Sequence, residues 1–278
     1  MHVLPLLLAL AIALALSGPL LTHMRRVGAV RPNYRSRELP FPFGVLVPAA
    51  ATIALIPLML VARLGETEVF ERGIAPIAVY CLGVVGLGML DDVLGGDGAG
   101  APRGWRGHFA ALRRGELSTG VVKALGALGL ALFAARYLGL STGRWLLAVA
   151  VLVLCTNAFN LLDLRPGRAI KVFVVLGAAL TAGSGQVRTL WALGLFAAPA
   201  LVAGAYDLRE RAMLGDTGAN LIGAVGGLWL VLTLSGTGQA VALGVLLAIT
   251  LFGELRSISG LVDRTPGLRY LDSLGRPS

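Results

Sequence analysis

Apolar segments long enough to cross a membrane recur along the chain and are separated by short polar stretches. A helix needs roughly 20 mostly apolar residues to span a bilayer, and nine segments fit this pattern, although the sixth is short enough to be tilted or partly re-entrant. Their approximate bounds are Val3–Thr22, Phe41–Val61, Ile74–Leu90, Gly120–Leu138, Trp145–Leu162, Val172–Gly183, Thr189–Ala205, Ala219–Leu234 and Ala240–Phe252. The pattern predicts an all-α polytopic membrane bundle, with a transmembrane domain over residues 1–253 and a cytoplasmic tail over residues 254–278.

The composition supports this prediction. Of the 278 residues, 56% are hydrophobic and 14% are charged, and the mean hydropathy is +0.80, which argues against a soluble globular domain. A net charge of +9 would suggest a nucleic-acid partner in a soluble protein, but basic cytoplasmic loops explain it here, so we expect no nucleic-acid binding. Cys81 and Cys155 lie in apolar segments without zinc or disulfide spacing, and we expect both to be packing residues.

The charges flanking the first apolar segment indicate its orientation. This segment could be a cleaved signal peptide that ends near Ser17, or an uncleaved helix. Arg25 and Arg26 follow it and no Lys or Arg precedes it, which favours an uncleaved helix with its N-terminus outside. That orientation puts 19 of the 24 Lys and Arg residues on the inner side, and the other five are Arg63, Arg72, Arg136, Arg144 and Arg188. The positive-inside rule therefore predicts an N-out, C-in, multi-pass protein of the plasma membrane.

The aspartates gather on the predicted inner side. Glu66, Glu68 and Glu71 cluster on the outer side instead. The inner set consists of Asp91, Asp92, Asp97, Asp163, Asp207, Asp216, Asp263 and Asp272. Several of them lie at helix ends beside Gly or Asn, which predicts one polar site at the cytoplasmic membrane face.

Asp91 and Asp92 stand together at the end of the third apolar segment. An Asp near the centre of a spanning helix costs about 2.5 to 3.5 kcal/mol, and the negative end of the helix dipole also disfavours carboxylates. Two adjacent carboxylates at this point need a compensating cation, which indicates a functional site. The alternative is a solvated pair that only ends the helix.

A second polar motif, NAFNLLDLRPGR, lies at the inner end of the fifth segment. Asn157, Asn160 and Asp163 are spaced by three and share roughly one helical face, and Arg165 and Arg168 follow. Amides and a carboxylate next to guanidinium groups suit a metal and a phosphate together. The alternative is helix capping plus positive-inside charge.

A third motif, LGDTGANLIG, leads into the eighth segment. Asp216 or Thr217 can cap that helix, so that its free N–H groups form an anion site. Gly215 and Gly218 would let a phosphate and a metal approach the backbone. A plain helix cap is the alternative.

Together these motifs resemble those of a known superfamily. Asp91-Asp92, Asn157-x-x-Asn160-Leu-x-Asp163 and Gly215-Asp216-Thr217-Gly218 occur in this order on the inner ends of successive segments. They are similar to the polyprenyl-phosphate N-acetylhexosamine-1-phosphate transferase superfamily (glycosyltransferase family 4), which includes the phospho-N-acetylmuramoyl-pentapeptide and undecaprenyl-phosphate N-acetylglucosamine-1-phosphate transferases. The likeness extends to the loop Arg31–Gly44 and to Lys123, and covers residues from about 31 to 225.

The resemblance implies a phosphoglycosyl transferase that needs Mg²⁺, with Mn²⁺ as an alternative ion. It would transfer a sugar 1-phosphate from a UDP-sugar to a polyprenyl phosphate and release UMP, in the synthesis of peptidoglycan or another glycopolymer. Asp216 and Asn160 would hold the metal, and Asp91 and Asp92, together with Asp163, would be catalytic. The residues expected to bind substrate or phosphate are Lys123, Asn157, Arg165, Arg168, Thr217 and Gly218.

The chain also departs from the superfamily. The second motif continues as Asp163-Leu164-Arg165-Pro166-Gly167, where the superfamily usually has Asp-Gly-x-Asp-Gly. The superfamily's last loop carries a histidine motif, whereas the histidines here are His2, His23 and His108. A catalytically silent paralogue that acts as a binding or regulatory subunit therefore stays an alternative. A transporter is another, but its polar groups would be expected near the bilayer midplane. Homodimerisation is left open.

Overall fold

The computed structural model describes residues 1–71, 73–95, 107, 111, 113–115 and 118–277, and these form a helical bundle. Asp97, His108 and the basic residues Arg72, Arg103 and Arg106, which entered the charge analysis, lie outside the described residues. The eleven α-helices within the described residues are α1 Leu4–Arg26, α2 Leu46–Leu64, α3 Ile74–Leu94, α4 Thr119–Arg136, α5 Thr142–Leu162, α6 Arg168–Ser184, α7 Arg188–Leu208, α8 Gly215–Thr233, α9 Gly236–Leu255, α10 Ile258–Arg264 and α11 Pro266–Ser273.

Seven of these helices are long and apolar enough to cross a membrane. They are α1, α2 with its preceding 3₁₀ turn Phe43–Val45, α3, α4, α5, α7 and α9. The other two predicted segments fall in α6, which has 17 residues, and in α8, which opens with the polar sequence GDTGAN. The prediction that the chain forms a bundle of apolar α-helices is thus confirmed.

Helix α8 lies at the centre of the bundle. Every residue from Thr217 to Val231 is buried, and the helix packs mainly against α3 and α5. A Cβ atom on Gly223 would lie 2.7 Å from the Thr156 Cα atom, and one on Gly227 would lie 3.1 Å from the Cys155 Cβ atom. These two glycines let α8 approach α5 closely, as expected for small residues at a membrane helix contact.

A short β-ribbon, which the sequence analysis did not predict, fixes the start of α8. Strands β1 (Val30–Pro32) and β2 (Glu38–Pro40) are antiparallel, with Val30 opposite Pro40. The residues that follow bond to the segment before α8: the Phe43 N–H group donates to the Met213 carbonyl at 2.8 Å and the Gly44 N–H group to that of Leu214 at 2.9 Å. The first polar loop and the beginning of α8 are therefore held together.

The C-terminal residues fold back onto the start of α6. Asp272, near the end of α11, accepts two hydrogen bonds from the Arg168 guanidinium, at 2.8 and 3.0 Å. Arg276 lies 2.9 Å from the same carboxylate and donates to the Pro166 carbonyl oxygen at 2.7 Å. The segment predicted to be a tail is docked on the same end of the bundle as Asp92 and Asp216.

Candidate functional site

Lys123 lies between two carboxylates contributed by different helices. Its Nζ atom is 2.7 Å from the Asp91 Oδ2 atom and also contacts the Asp216 Oδ2 atom. The three side chains are 25%, 22% and 28% exposed, respectively. We call Lys123, Asp91, Asp216 and Asn160 the ion cluster. The Lys123 ammonium group supplies the positive charge that the carboxylates at the end of α3 require.

Asn160 joins the ion cluster from α5 and also contacts Asn220 on α8. The Asn160 Nδ2 atom donates to the Asp216 Oδ2 atom at 3.0 Å and to the Asn220 Oδ1 atom at 3.1 Å. Asn220 is buried, and its own Nδ2 atom has no hydrogen-bond partner among the described residues. Asn220 was not among the predicted site residues, although its position four residues after Asp216 places it on the same face of the helix.

Asp92 points away from the ion cluster and into the first turn of α8. Its carboxylate accepts the Asp216 N–H group at 2.8 Å, the Thr217 N–H group at 2.8 Å and the Thr217 hydroxyl at 2.6 Å. Asp92 is 6% exposed, and its backbone carbonyl accepts a hydrogen bond from Arg31 at 2.7 Å. Neighbouring residues on a helix are rotated by about 100° about its axis. Asp91 therefore faces Lys123, whereas Asp92 faces the first turn of α8.

This arrangement corrects the predicted cap of α8. Asp216 and Thr217 lie inside the first turn of the helix, and Asp92 takes the N–H groups that were expected to bind a phosphate. Thr217 is fully buried and supports Asp92 instead of facing a ligand. Gly218 packs on the first polar loop: a Cβ atom there would lie 3.1 Å from the Gly44 Cα atom.

Asp163 and Asp207 form a second acidic group beside the ion cluster. Asp207 is buried and accepts hydrogen bonds from the N–H groups of Gly167 at 2.6 Å and Leu214 at 3.4 Å, which ties two loops together. Asp163 directly follows α5. Desolvation raises its pKa well above the ordinary value, and the neighbouring Asp207 and Asp216 carboxylates raise the pKa further.

The two arginines expected to bind phosphate make other contacts. The Arg168 side chain is 6% exposed and forms the paired hydrogen bonds to Asp272. The Arg165 Nη2 atom is 3.7 Å from Asp263, and its guanidinium carbon is 4.5 Å from the centre of the Tyr34 ring. In this arrangement the Arg168 guanidinium is paired with the Asp272 carboxylate, and its predicted role in phosphate binding stays a prediction.

A cavity of about 300 Å³ opens beside the ion cluster. Its apolar wall consists of Val84, Leu87, Gly120, Ala124, Ala127, Val153 and Leu154. The polar residues that line it are Lys123, Asn157, Asn160, Asn220, Thr156 and Glu254. Asn157 also donates to the Thr250 hydroxyl oxygen at 3.4 Å, and Glu254 lies one turn further along α9. Sequence reasoning missed Glu254 because no motif marks the end of α9.

The donor atoms of the ion cluster are compatible with Mg²⁺. Within the described residues, no group of three or more His, Cys, Asp or Glu side chains is arranged to hold a metal. Mg²⁺ nevertheless prefers oxygen ligands and commonly binds through one or two carboxylates while it keeps several waters. Asp91, Asp216 and the amide oxygen of Asn160 fit that preference, whereas they would be a poor set for zinc.

Comparisons with known proteins give no assignment. No family model matches the chain, and no curated protein matches it significantly.

Proposed function

We propose that the protein is a Mg²⁺-dependent phosphoglycosyl transferase that moves a sugar 1-phosphate from a UDP-sugar to a polyprenyl phosphate. Peptidoglycan or another cell-wall glycopolymer would be the destination of the product. This proposal places the chain with the polyprenyl-phosphate N-acetylhexosamine-1-phosphate transferases that its motifs resemble.

The observation that carries the proposal is the ion cluster. Residues from all three motifs and Lys123, separated by up to 125 positions in sequence, meet at one end of the bundle. A purely structural use of the motifs would not require two partly exposed carboxylates and a lysine beside a cavity with an apolar wall. A lipid phosphate needs both features, since its chain is apolar and its head group is charged.

The proposed chemistry is a displacement at phosphorus. An oxygen of the lipid phosphate bonds to the phosphorus that carries the sugar, and the bond from that phosphorus to the bridging oxygen breaks, so UMP leaves with the electron pair. A phosphomonoester has a second pKa of about 6, so the acceptor is largely ionised near neutral pH and needs little help from a base. When bound, Mg²⁺ would screen the charge of the phosphates.

The residues divide this work according to their contacts. Asp216, Asp91 and Asn160 would hold the ion, and Lys123 would attract the phosphate groups that enter the cavity. Asp92 would act as a positioning residue, because its carboxylate holds the turn of α8 that carries Asp216.

The proposal includes a topology. Nine membrane-spanning segments with the N-terminus outside would put the ion cluster at the cytoplasmic face of the plasma membrane, where nucleotide sugars are available. The bias of Lys and Arg towards that side of the chain supports this orientation.

UMP release tests the proposal directly. Purified protein is incubated with Mg²⁺, undecaprenyl phosphate and a panel of UDP-sugars, and UMP and lipid-linked sugar are quantified, with Asp216→Asn as the matched control. We expect at least one donor to be consumed in a lipid-dependent and Mg²⁺-dependent way. Lipid-independent UMP release, or no release from any donor, would contradict the proposal.

A binding subunit without transfer activity is the second candidate. It is favoured by the internal engagement of Arg168 with Asp272 and of Thr217 with Asp92, which removes two predicted phosphate contacts. Saturable binding of a UDP-sugar or a lipid phosphate without turnover would support this candidate.

A further inference from the structure

Lys123 and a divalent cation need the same carboxylate oxygens. The lysine Nζ atom contacts the Oδ2 atom of Asp91 at 2.7 Å and the Oδ2 atom of Asp216. Asp216 Oδ2 also accepts the Asn160 amide at 3.0 Å. An ion that ligates Asp91 and Asp216 through these atoms would lie against a positively charged ammonium group at close range, where like charges repel strongly.

We infer that Lys123 is an internal counter-ion that a divalent cation displaces, so that cation binding turns the ammonium group out of the ion cluster and into the adjoining cavity. This inference rests on the metal site of the proposed function but does not require the transfer reaction.

The cavity provides the place to which Lys123 moves. Lys123 already lines it, together with Asn160 and Asn220. The Asn220 side chain is 4% exposed, and its Nδ2 atom has no hydrogen-bond partner among the described residues. A buried amide donor without a partner is costly, and here it marks a position where an acceptor oxygen of a ligand would be stabilised. A displaced ammonium group and this amide would then face the same anionic ligand.

The exchange couples two binding events. With the lysine between the carboxylates, its charge offsets only one of the two negative charges of Asp91 and Asp216, and the cavity gains little positive charge. After the cation has entered, the carboxylates are neutralised by the ion, and the lysine charge becomes available to a phosphate. Cation binding should therefore precede and strengthen anion binding.

The first test measures Mn²⁺ affinity by electron paramagnetic resonance, which needs no substrate. Lys123→Gln removes the competing charge and should bind Mn²⁺ at least about tenfold more tightly than the natural protein, since about 1.4 kcal/mol of relieved repulsion corresponds to a factor of ten. Lys123→Arg keeps the charge and should not tighten binding. Lys171→Gln is the matched control, because Lys171 contacts backbone carbonyls of the C-terminal segment and no residue of the ion cluster.

The second test follows the lysine itself. An amine-specific acetylating reagent is applied to the detergent-solubilised protein with and without Mg²⁺, and modification of Lys123 is quantified by mass spectrometry. We expect Mg²⁺ to increase Lys123 acetylation several-fold while Lys171 acetylation stays constant.

The outcomes separate this inference from the proposed transfer. Unchanged or weaker Mn²⁺ binding in Lys123→Gln, undetectable Mn²⁺ binding in both proteins, or Mg²⁺ protection of Lys123 from acetylation would overturn the exchange. Tighter Mn²⁺ binding in Lys123→Gln, together with a natural protein that releases no UMP from any donor, would support the exchange and count against the transferase.

Discussion

The carboxylate of Asp92 accepts hydrogen bonds from the backbone N–H group and the hydroxyl of Thr217, at 2.8 and 2.6 Å. This contact joins the end of α3 to the first turn of α8, and it orients Asp216, the residue next to Thr217, towards Lys123. Asp91 and Asp92 are adjacent in sequence but belong to different parts of the site: one faces the ion cluster and the other holds the backbone.

Replacing Asp92 should therefore affect folding before it affects metal binding. Hydrogen bonds to charged groups contribute about 1.5–3 kcal/mol, so Asp92→Ala should lower the free energy of unfolding by roughly that amount or more. If the fold persists, its Mn²⁺ affinity should fall less than that of Asp91→Ala, because Asp92 acts on the metal site only through the position of Asp216. Thermal unfolding in detergent measures the loss of stability, and Mn²⁺ titration measures the affinity for the ion. Asp91→Ala should instead lose Mn²⁺ affinity more than stability.

Asp216→Asn tests the metal assignment. The substitution keeps the size and an oxygen acceptor but removes the charge next to Lys123. Folding should survive, whereas Mn²⁺ affinity and transfer should fall by at least about tenfold. Raising the Mg²⁺ concentration should partly rescue Asn160→Ala, whose amide contacts Asp216 at 3.0 Å. Turnover of Asp216→Asn close to that of the natural protein at limiting Mg²⁺ would remove Asp216 from the metal site.

The contact between α3 and α8 predicts different effects for two glycines one half-turn apart. A Cβ atom on Gly88 would lie 2.5 Å from the Asp216 carbonyl oxygen, whereas nothing lies within 4 Å of one on Gly86. Gly88→Ala should push the helices apart, lower the unfolding temperature and weaken Mn²⁺ binding. Gly86→Ala should be neutral or stabilising, because Ala is favoured over Gly inside a helix by roughly 0.5–1 kcal/mol. Equal effects of both substitutions would contradict the described packing.

Ionised Asp272 should stabilise the docked C-terminal segment in a pH-dependent way. Burial acts to raise the pKa of Asp272, but the ion pairs with Arg168 and Arg276 outweigh it, so the pKa lies below the ordinary value. A carboxyl with a lower pKa in the folded state stabilises the fold above its unfolded pKa of about 3.9, and this contribution is lost as the pH falls through the folded-state pKa. Asp272→Asn should thus be less stable than the natural protein at pH 7.

The same pair of proteins supplies the acid control. Thermal unfolding of both proteins is measured at a series of pH values. The difference in their unfolding temperatures should become smaller as the medium becomes acidic enough to protonate Asp272. A constant difference over the whole acidic range would mean that Asp272 acts through shape and not through charge.

The proposed topology is tested with single cysteines. The natural Cys81 and Cys155 are buried and should give little background with an impermeant thiol reagent. Cysteines at Ser36 and Ser273, both exposed on the end of the bundle that carries the ion cluster, should be protected in intact cells and react after permeabilisation. A cysteine at Thr67 should react from outside. Labelling of a cysteine at Ser36 from outside the cell would contradict the proposed orientation and indicate the opposite one.

The sequence by itself determined the helical bundle and the side on which its polar groups gather. Membrane-length apolar runs must form helices, because every backbone polar group in a bilayer needs an internal partner. Successive antiparallel helices bring alternate ends together, so Asp91, Asn160 and Asp216 could be assigned to one end of the bundle without coordinates. Gly223 and Gly227 are four residues apart, and such small residues on one helical face permit the close contact with α5 that the structure shows.

Only the tertiary structure decided how the polar groups pair. Helical periodicity separates Asp91 from Asp92 by about 100°, but it does not say which of them meets Lys123, because that depends on how α3 is rotated against α4 and α8. Arg168 and Asp272 are 104 positions apart and pair through two hydrogen bonds, a contact that no sequence motif indicated. Ion pairs between distant residues are set by packing geometry over a few ångströms, and a sequence pattern does not contain that distance.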